Sequence, residues 1–595
     1  MGVGAEMTKV RNGDGSLVAV VRTVLVAVLV YCLAPGGLLG EEKVDPDPPR
    51  SRLLGETPNY AEVLRDQWSE ERAEDLYGRY FGLLSEASAE QPVTLEQSIA
   101  LALQNNTGLK IGRLNPVLAT NEVRRAYSVF DPAIFAGASK FRETDPLTND
   151  NLLLPKGVDD TFNGKVLWNL GVKKGLISGG KVALEWTNDK TTSVPSPISV
   201  LVPRYRSEIN FSLNQPLLRN FGWRYALLNV DVAENVEEAA FFQYRAQVAD
   251  LVLATESRYW TLVLASANVD VEQQGLALAR ELLRQNKGRF DVGALPRTAV
   301  LESEAEVARR EANLVRANNL QRIARDVLSV LVNSKSPDTK RVLLLTPTDK
   351  PTLTEYEIDT RRSFDRAIAT RPELIAARLD LDSKRLLQRA AENQLLPRLD
   401  FVGSIGLSGL GGRQALDQAF GQPVNVFPRV NNGYGSALNL LTDGRFYQYN
   451  VGVVFEVPIN NAAAKAAHSQ SKIDREQSEL SLRQLEENVT LEIKNAIDNV
   501  RSQLKSIEAT RVARRLAEEN VRNQKARYDV GLATNKDLID FQQRLTRARQ
   551  AEIQALTQYN TRLAELRRAD GTLLEQRNVV MRRSEPEDTP WWGRF

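Results

Sequence analysis

Twice in this chain roughly sixty residues pass with no proline and hardly any glycine, from about Tyr225 to Asn286 and again from about Ala464 to Tyr528. Proline inside a helix removes a hydrogen bond and clashes with the preceding turn, so tracts free of it can run as unbroken helix. Each such helix is about 90 Å long at 1.5 Å per residue, about three times the width of a small globular domain. The rods must therefore pack along their lengths, in a coiled coil or a tube. Val248, Val252, Thr255, Tyr259 and Leu262 supply the alternating three–four spacing this needs. A turn follows each rod, at Gly293 to Pro296 and at Gly531. A second helix then returns, to about Leu331 in the first case and from Asn535 to about Ala569 in the second.

The two rods belong to a tandem duplication. Ser98, Ala102, Leu109, Arg113 and Leu114 recur as Ser363, Ala367, Leu374, Arg378 and Leu379 at one constant offset, which Pro132 and Pro397 share. Further on, Lys287-Gly288-Arg289-Phe290-Asp291-Val292-Gly293 matches Lys525-Ala526-Arg527-Tyr528-Asp529-Val530-Gly531 at a smaller offset. The first copy is therefore longer between these anchors.

The middle of each copy alternates with period two. Leu399, Phe401, Ile405 and Leu407 fall on one face, with Gly403 among them; Arg398, Asp400, Ser404 and Ser408 fall on the other. Tyr449, Val451, Val453, Phe455 and Val457 oppose Asn450, Gly452 and Glu456. In the first copy Ile209, Phe211 and Leu213 oppose Glu208, Asn210, Ser212 and Asn214, while Ile134 to Phe141 alternates less cleanly. Such segments are strands with one apolar and one polar face. Pro216 and Pro458 close the return strands. Phe162 to Leu170 and Lys181 to Thr187, joined through Ser178-Gly179-Gly180, read as an additional hairpin whose place in the sheet is open. Thr144 to Asp160, Thr191 to Pro203 and Gly409 to Asn439 read as loops.

Composition narrows the function. The net charge is +2, without the basic excess of a nucleic-acid binder. One cysteine, Cys32, and one histidine, His468, rule out an internal disulfide, a Cys/His metal cluster and the usual histidine relay. The glycine-rich run Gly406 to Gly412 lacks the Gly-Lys-Ser/Thr of a phosphate loop. No catalytic residue, cofactor or metal site is expected, and no enzyme activity. Lys9, Arg11 and Arg22 precede a short apolar stretch, Thr23 to Leu33, which reads as a cleaved export signal over 1–40. Tyr31 stands where a small residue would precede a lipidated Cys32, which argues against lipidation. Entry into a membrane must then be by strands.

With these features the chain resembles the TolC-like outer-membrane efflux protein family, from about Val93 to Glu575. The likeness rests on the duplicated helix–strand–strand–helix plan. It rests also on the opening Leu95-Glu96-Gln97-Ser98-Ile99-Ala100-Leu101-Ala102-Leu103-Gln104-Asn105-Asn106 and on the segment Arg527 to Gly531 running to Asp537-Leu538-Ile539-Asp540. The resemblance implies a mainly α chain with membrane β-structure: a homotrimeric duct whose protomers donate four strands each to one twelve-stranded barrel in outer-membrane lipid. Long antiparallel helices would continue it across the periplasm. It implies a periplasmic adaptor and an inner-membrane pump as partners, in efflux or type I secretion, and no nucleic acid. The helical tips Arg289, Phe290, Val292 and Gly293, with Arg527, Tyr528, Val530 and Gly531, would meet the adaptor. Tyr528, Asp537 and Asp540 would form a periplasmic gate, although Ala533 replaces an arginine that holds the gate shut in the family's best-known member. Trp168, Trp186, Tyr205, Tyr434, Tyr447 and Tyr449 suit interfacial aromatic girdles.

The expected organisation is a signal (1–40), an N-terminal linker and equatorial extension (41–92), repeat 1 (93–333), an equatorial linker (334–361), repeat 2 (362–575) and a tail (576–595). A cell-envelope coiled-coil scaffold without transport activity is the alternative.

Overall fold

The computed structural model describes residues 90–146, 160–194, 200–333, 344–353, 358–415, 418–419, 422–423, 430 and 432–581. The expected export signal, the extension up to residue 89 and the tail from residue 582 lie outside the described residues.

The first repeat opens with strand β1 (Glu90–Val93), helix α1 (Leu95–Asn105) and helix α2 (Thr107–Tyr127). Thr94 starts α1 with a capping box: its hydroxyl accepts from Gln97 N, and the Gln97 side chain accepts from Thr94 N. Four strands follow, β2 (Ala133–Pro146), β3 (Asp160–Gly175), β4 (Lys181–Val194) and β5 (Leu201–Pro216). Helix α3 (Leu228–Asp291, 64 residues) and helix α4 (Arg297–Val332) complete the repeat. Strand β6 (Leu344–Pro347) leads to the second repeat: α5 (Thr360–Thr370), α6 (Pro372–Asn393), β7 (Arg398–Gln414), α7 (Gly433–Thr442), β8 (Tyr447–Glu456), α8 (Ala462–Asp529, 68 residues) and α9 (Asn535–Ala569). At 1.5 Å per residue α3 and α8 are each about 100 Å long. Among the described residues no helix is long and apolar enough to cross a membrane.

The helices lie side by side. Near the sheet the order is α2, α3, α6, α8; toward the far end it is α4, α3, α9, α8. Each repeat has its own apolar seam. The first gathers Val252, Tyr259, Leu262, Leu328 and Leu345; the second gathers Leu374, Ile493, Ile497, Ile507 and Leu566. Each leucine or isoleucine buried this fully stabilises the fold by about 2 kcal/mol. Between them β1 pairs in parallel with β6, so the start of repeat 1 is tied to the linker at mid-length. The Tyr259 hydroxyl donates to Asp349 Oδ2 at 2.8 Å beside this pair, and burial pushes its pKa up to about 12.

The main sheet is antiparallel, with the order β8-β7-β5-β4-β3-β2. It thus has six strands where the resemblance implies four, because the additional hairpin pairs on both sides. Its register gathers the apolar residues of β3, β4, β5, β7 and β8 mainly on one face, whereas β2 alternates less cleanly, with Phe135 and Phe141 on the reverse and Lys140 and Arg142 on the apolar side. Ile134, Val172, Leu184, Phe211, Ile405 and Tyr449 form one row across all six strands. The row beside it runs Ala136, Leu170, Trp186, Ile209, Leu407 and Tyr447. The reverse face carries Lys165, Lys173, Glu185, Arg206, Asn210 and Glu456. Trp168, Trp186, Tyr205, Tyr447 and Tyr449 all lie on the apolar face, where Trp168 meets Trp186 edge to face at 4.9 Å. The edge strands β2 and β8 are exposed almost throughout.

Residues 409–439, expected as loop, hold the end of β7 and the start of α7. This helix lies on the apolar face over Gly409 and Gly411. A Cβ on Gly409 would come within 1.9 Å of Ala437 O, and one on Gly411 within 2.1 Å of Gly433 O. Only glycine permits that approach. Tyr434 donates to Asn188 Oδ1 at 2.7 Å and packs on Tyr205.

Candidate functional site

The two long hairpins end together, at α3–α4 and α8–α9. Both tips close with one hydrogen-bond pattern. Gly293 N donates to Phe290 O and Ala294 N to Arg289 O; Gly531 N donates to Tyr528 O and Leu532 N to Arg527 O. This is the Schellman arrangement, which needs a left-handed residue just after the helix. Gly293 and Gly531 occupy it with φ of 77° and 79°. The turns lift Val292 (79% exposed) and Val530 and Leu532 (both 70% exposed) into solvent, alongside exposed Phe290 and Arg527.

Equivalent positions in the two tips have diverged. Phe290 points outward, whereas its counterpart Tyr528 is 4% exposed and packs on Leu282, Leu538 and Ile539. The Tyr528 hydroxyl donates to Asn286 Oδ1 at 2.5 Å. Asn286 Nδ2 in turn donates to Ser303 Oγ and to Asn535 Oδ1, both at 2.8 Å. Asn535 Nδ2 reaches Glu302 Oε2 at 3.0 Å. Four helix ends, α3, α4, α8 and α9, are thus joined by one buried polar cluster. Arg289 adds a second tie between the repeats: it lies 3.3 Å from Asp529 Oδ1 and 5.2 Å above the Tyr528 ring. Burial pushes the Tyr528 hydroxyl above its usual pKa, and Arg289 opposes that shift.

Asp537 is exposed and caps α9. Thr534 donates to its Oδ2 through Oγ1 (2.7 Å) and through the backbone N (3.1 Å), while Asp537 N donates back to Thr534 Oγ1. These bonds, the side-chain one foremost, hold its carboxyl below the usual carboxylate range. Asp540 lies three residues on along the same helix, partly exposed. Of the predicted gate residues, Tyr528 is locked inside the protomer and the two aspartates stand on α9 behind it. Of the predicted contact residues, Tyr528 alone is buried.

Farther from the tip a second polar cluster lies between the hairpins. Arg310 is 4% exposed and donates to Glu306 at 2.8 Å, with Glu272 at 3.5 Å. Gln543 and Gln550 of α9 donate to Glu306 and Glu272 at 3.0 and 2.8 Å. Removing one partner from such a buried set costs about 3–5 kcal/mol, because a charge is left unmatched. Sequence reading missed both clusters: their members lie far apart along the chain, and only the packing of α9 against α3 and α4 brings them together.

Three comparisons bear on this architecture. Residues 364–572 match the outer membrane efflux protein family model. The chain is 25% identical over 381 residues to outer membrane protein TolC of Vibrio cholerae, covering 62% of this chain and 77% of that protein. It is 25% identical over 373 residues to outer membrane protein TolC of Escherichia coli, covering 62% and 70%. In fold it is similar to the Campylobacter jejuni CmeC outer membrane channel, with a TM-score of 0.56, 16% identity, and 80% and 86% of the two chains covered. It is also similar to the Neisseria gonorrhoeae MtrE outer membrane channel, with a TM-score of 0.54, 17% identity, and 80% and 89% covered.

Proposed function

We propose, starting from a chain that is a TolC-like outer-membrane efflux protein in sequence and in fold, that three copies form a passive exit duct through the outer membrane and across the periplasm. Energy comes from an inner-membrane pump, reached through a periplasmic adaptor, in efflux or type I secretion. One observation carries the reading. A sheet with an apolar and a polar face ends in two bare edges, and about 100 Å of helix extends from it. Open strand edges in lipid leave backbone groups unpaired at several kcal/mol each, so the sheet must close with other copies. The polar face then lines a water-filled lumen and the apolar face meets lipid.

The tip is the natural place for control. Its buried cluster holds both hairpins of a protomer together, and three-fold symmetry would gather Asp537 and Asp540 into rings of carboxylates. Such rings favour cations at a constriction. The exposed residues of the two turns, Phe290, Val292, Arg527 and Val530, with half-buried Arg289 beside them, suit the adaptor.

The reading is tested by fractionation. Outer-membrane trimers that resist SDS until heated are expected, together with loss of resistance to toxic compounds in a deletion strain. A water-soluble monomer in the periplasm would favour a scaffold instead. Arg527→Glu is expected to reduce adaptor capture by the purified trimer about tenfold, as loss of a charge-assisted contact does. Unchanged capture would remove Arg527 from that surface.

A further inference from the structure

We infer that the β3–β4 hairpin is part of the transmembrane wall, so that three copies close an eighteen-stranded barrel. This rests on the duct reading and departs from the twelve strands that the resemblance implies.

Pairing is the first argument. The hairpin is not attached at an edge but inserted between β2 and β5. It pairs with β2 from Ala133 opposite Lys173 to Pro146 opposite Asp160. It pairs with β5 from Lys181 opposite Asn214 to Thr191 opposite Arg204. Lifting it out of the wall would break both ladders.

Height is the second. The β3–β4 turn reaches the helical end of the sheet, where Ser178 Oγ donates to Gln215 Oε1 at 2.6 Å and Gly222 N donates to Ser178 O at 3.1 Å. The hairpin thus runs the full length of its neighbours, at 16 and 14 residues. A membrane-spanning strand needs about 9–11.

Its faces match as well. Trp168, Leu170, Leu184 and Trp186 continue the apolar belt of the flanking strands. On the reverse side Glu185 accepts from Asn169 at 2.7 Å, among the lumen-facing polar residues. Because the six strands alternate in direction, the two bare edges run opposite ways. The β8 of one copy therefore meets the β2 of the next in an antiparallel ladder, and rotation by thirds closes the ring.

Width is the last argument. Four helices side by side at 8–10 Å cover an arc of about 35 Å. Six strands about 4.8 Å apart, tilted by about 40°, cover about 38 Å, whereas four cover about 25 Å. Six strands carry the wall over the helical tunnel without a step. The duplication shows where they came from: Lys287 follows Pro132 by 155 positions, but Lys525 follows Pro397 by 128. Because barrel diameter grows about linearly with strand number, the mouth is about one and a half times as wide as a twelve-stranded one.

The test places single cysteines on the full-length chain, with Cys32→Ser, and labels them with bimane. Leu170→Cys and Leu184→Cys report the hairpin's apolar face, Glu185→Cys its polar face and Phe211→Cys a neighbouring strand. Trimers in vesicles of brominated phosphatidylcholine should lose bimane emission about twofold at 170, 184 and 211, with iodide quenching only 185. Iodide quenching at 170 and 184 with lipid quenching kept at 211 would overturn the inference and leave the duct standing. Absence of lipid quenching at 211 as well would defeat the duct reading itself. If Leu184→Cys does not assemble, Leu170→Cys and a strand count by cryo-EM decide between eighteen and twelve.

Discussion

Tyr528 and Phe290 occupy equivalent places in the two tips, yet one is buried and the other exposed. The difference is a hydroxyl with a partner. Tyr528→Phe keeps the ring beneath Arg289 but leaves Asn286 Oδ1 unmatched in a buried cluster, at a cost of about 1–3 kcal/mol. Where opening separates the hairpins, each kcal/mol multiplies the open-to-closed ratio about fivefold. Single-channel recordings of Tyr528→Phe should show that gain; an unchanged open fraction would detach Tyr528 from gating. Asp537 offers a second test, through pH. Its pKa is lowered on folding, so its share of the cap is fully present above the ordinary carboxylate value of about 4 and fades as pH falls through the lowered one. Protection of the amides near Asn535 to Leu538, taken relative to their intrinsic exchange rates at each pH, should hold from pH 7 to pH 5 and fall only in stronger acid. In Asp537→Asn that acid-dependent change should vanish. The tip motif was legible in the sequence because glycine with positive φ and a repeated seven-residue string are local signals. Asn286, Ser303 and Asn535 were not, since ordinary polar residues become a cluster only after distant helices pack.

Elements were read with uneven success, for physical reasons. The absence of proline marked α3 and α8, and period-two alternation marked β5, β7 and β8. The same alternation marked β3 and β4 as strands but could not say which neighbours they pair with, because side-chain period carries no partner identity. Helix α7 was hidden inside a glycine-rich stretch. Its glycines serve close packing: Gly409 and Gly411 make room for it on β7, and Ser436, Ala437, Leu440 and Leu441 fill the contact. Gly409→Val should therefore lift α7 from the sheet and expose Tyr434 and Tyr205, while β7 keeps its ladder. Protease cleavage within 433–442 should rise several-fold at an undiminished trimer yield, in line with an overpacking cost of about 1–3 kcal/mol. Resistance equal to the parent would mean that α7 does not depend on that approach.

The whole protomer is a slab whose two flanks are alike in what they lack. One flank carries β2, α2 and α4; the other carries β8 and α8. Both hold bare apolar side chains, such as Leu114 and Leu118 on the first and Ile473, Leu480 and Leu516 on the second, each about half exposed or more. Scattered exposed leucines are ordinary, but here they line the edges of a helical layer that is well packed between them. The sheet edges demand a neighbour at the same two flanks, so one contact satisfies both layers. A ring of identical contacts multiplies any fault by the number of copies. Leu118→Asp places a charge in each junction and costs several kcal/mol per ring, since burying a leucine is worth about 2 kcal/mol and a buried carboxylate must be neutralised besides. The SDS-resistant trimer should disappear while the monomer's helical circular dichroism is kept. Glu508→Lys, at an exposed polar site on α8, should leave the trimer intact. If Leu118→Asp assembles as well as the parent, the flanks do not meet and the slab must close in some other way.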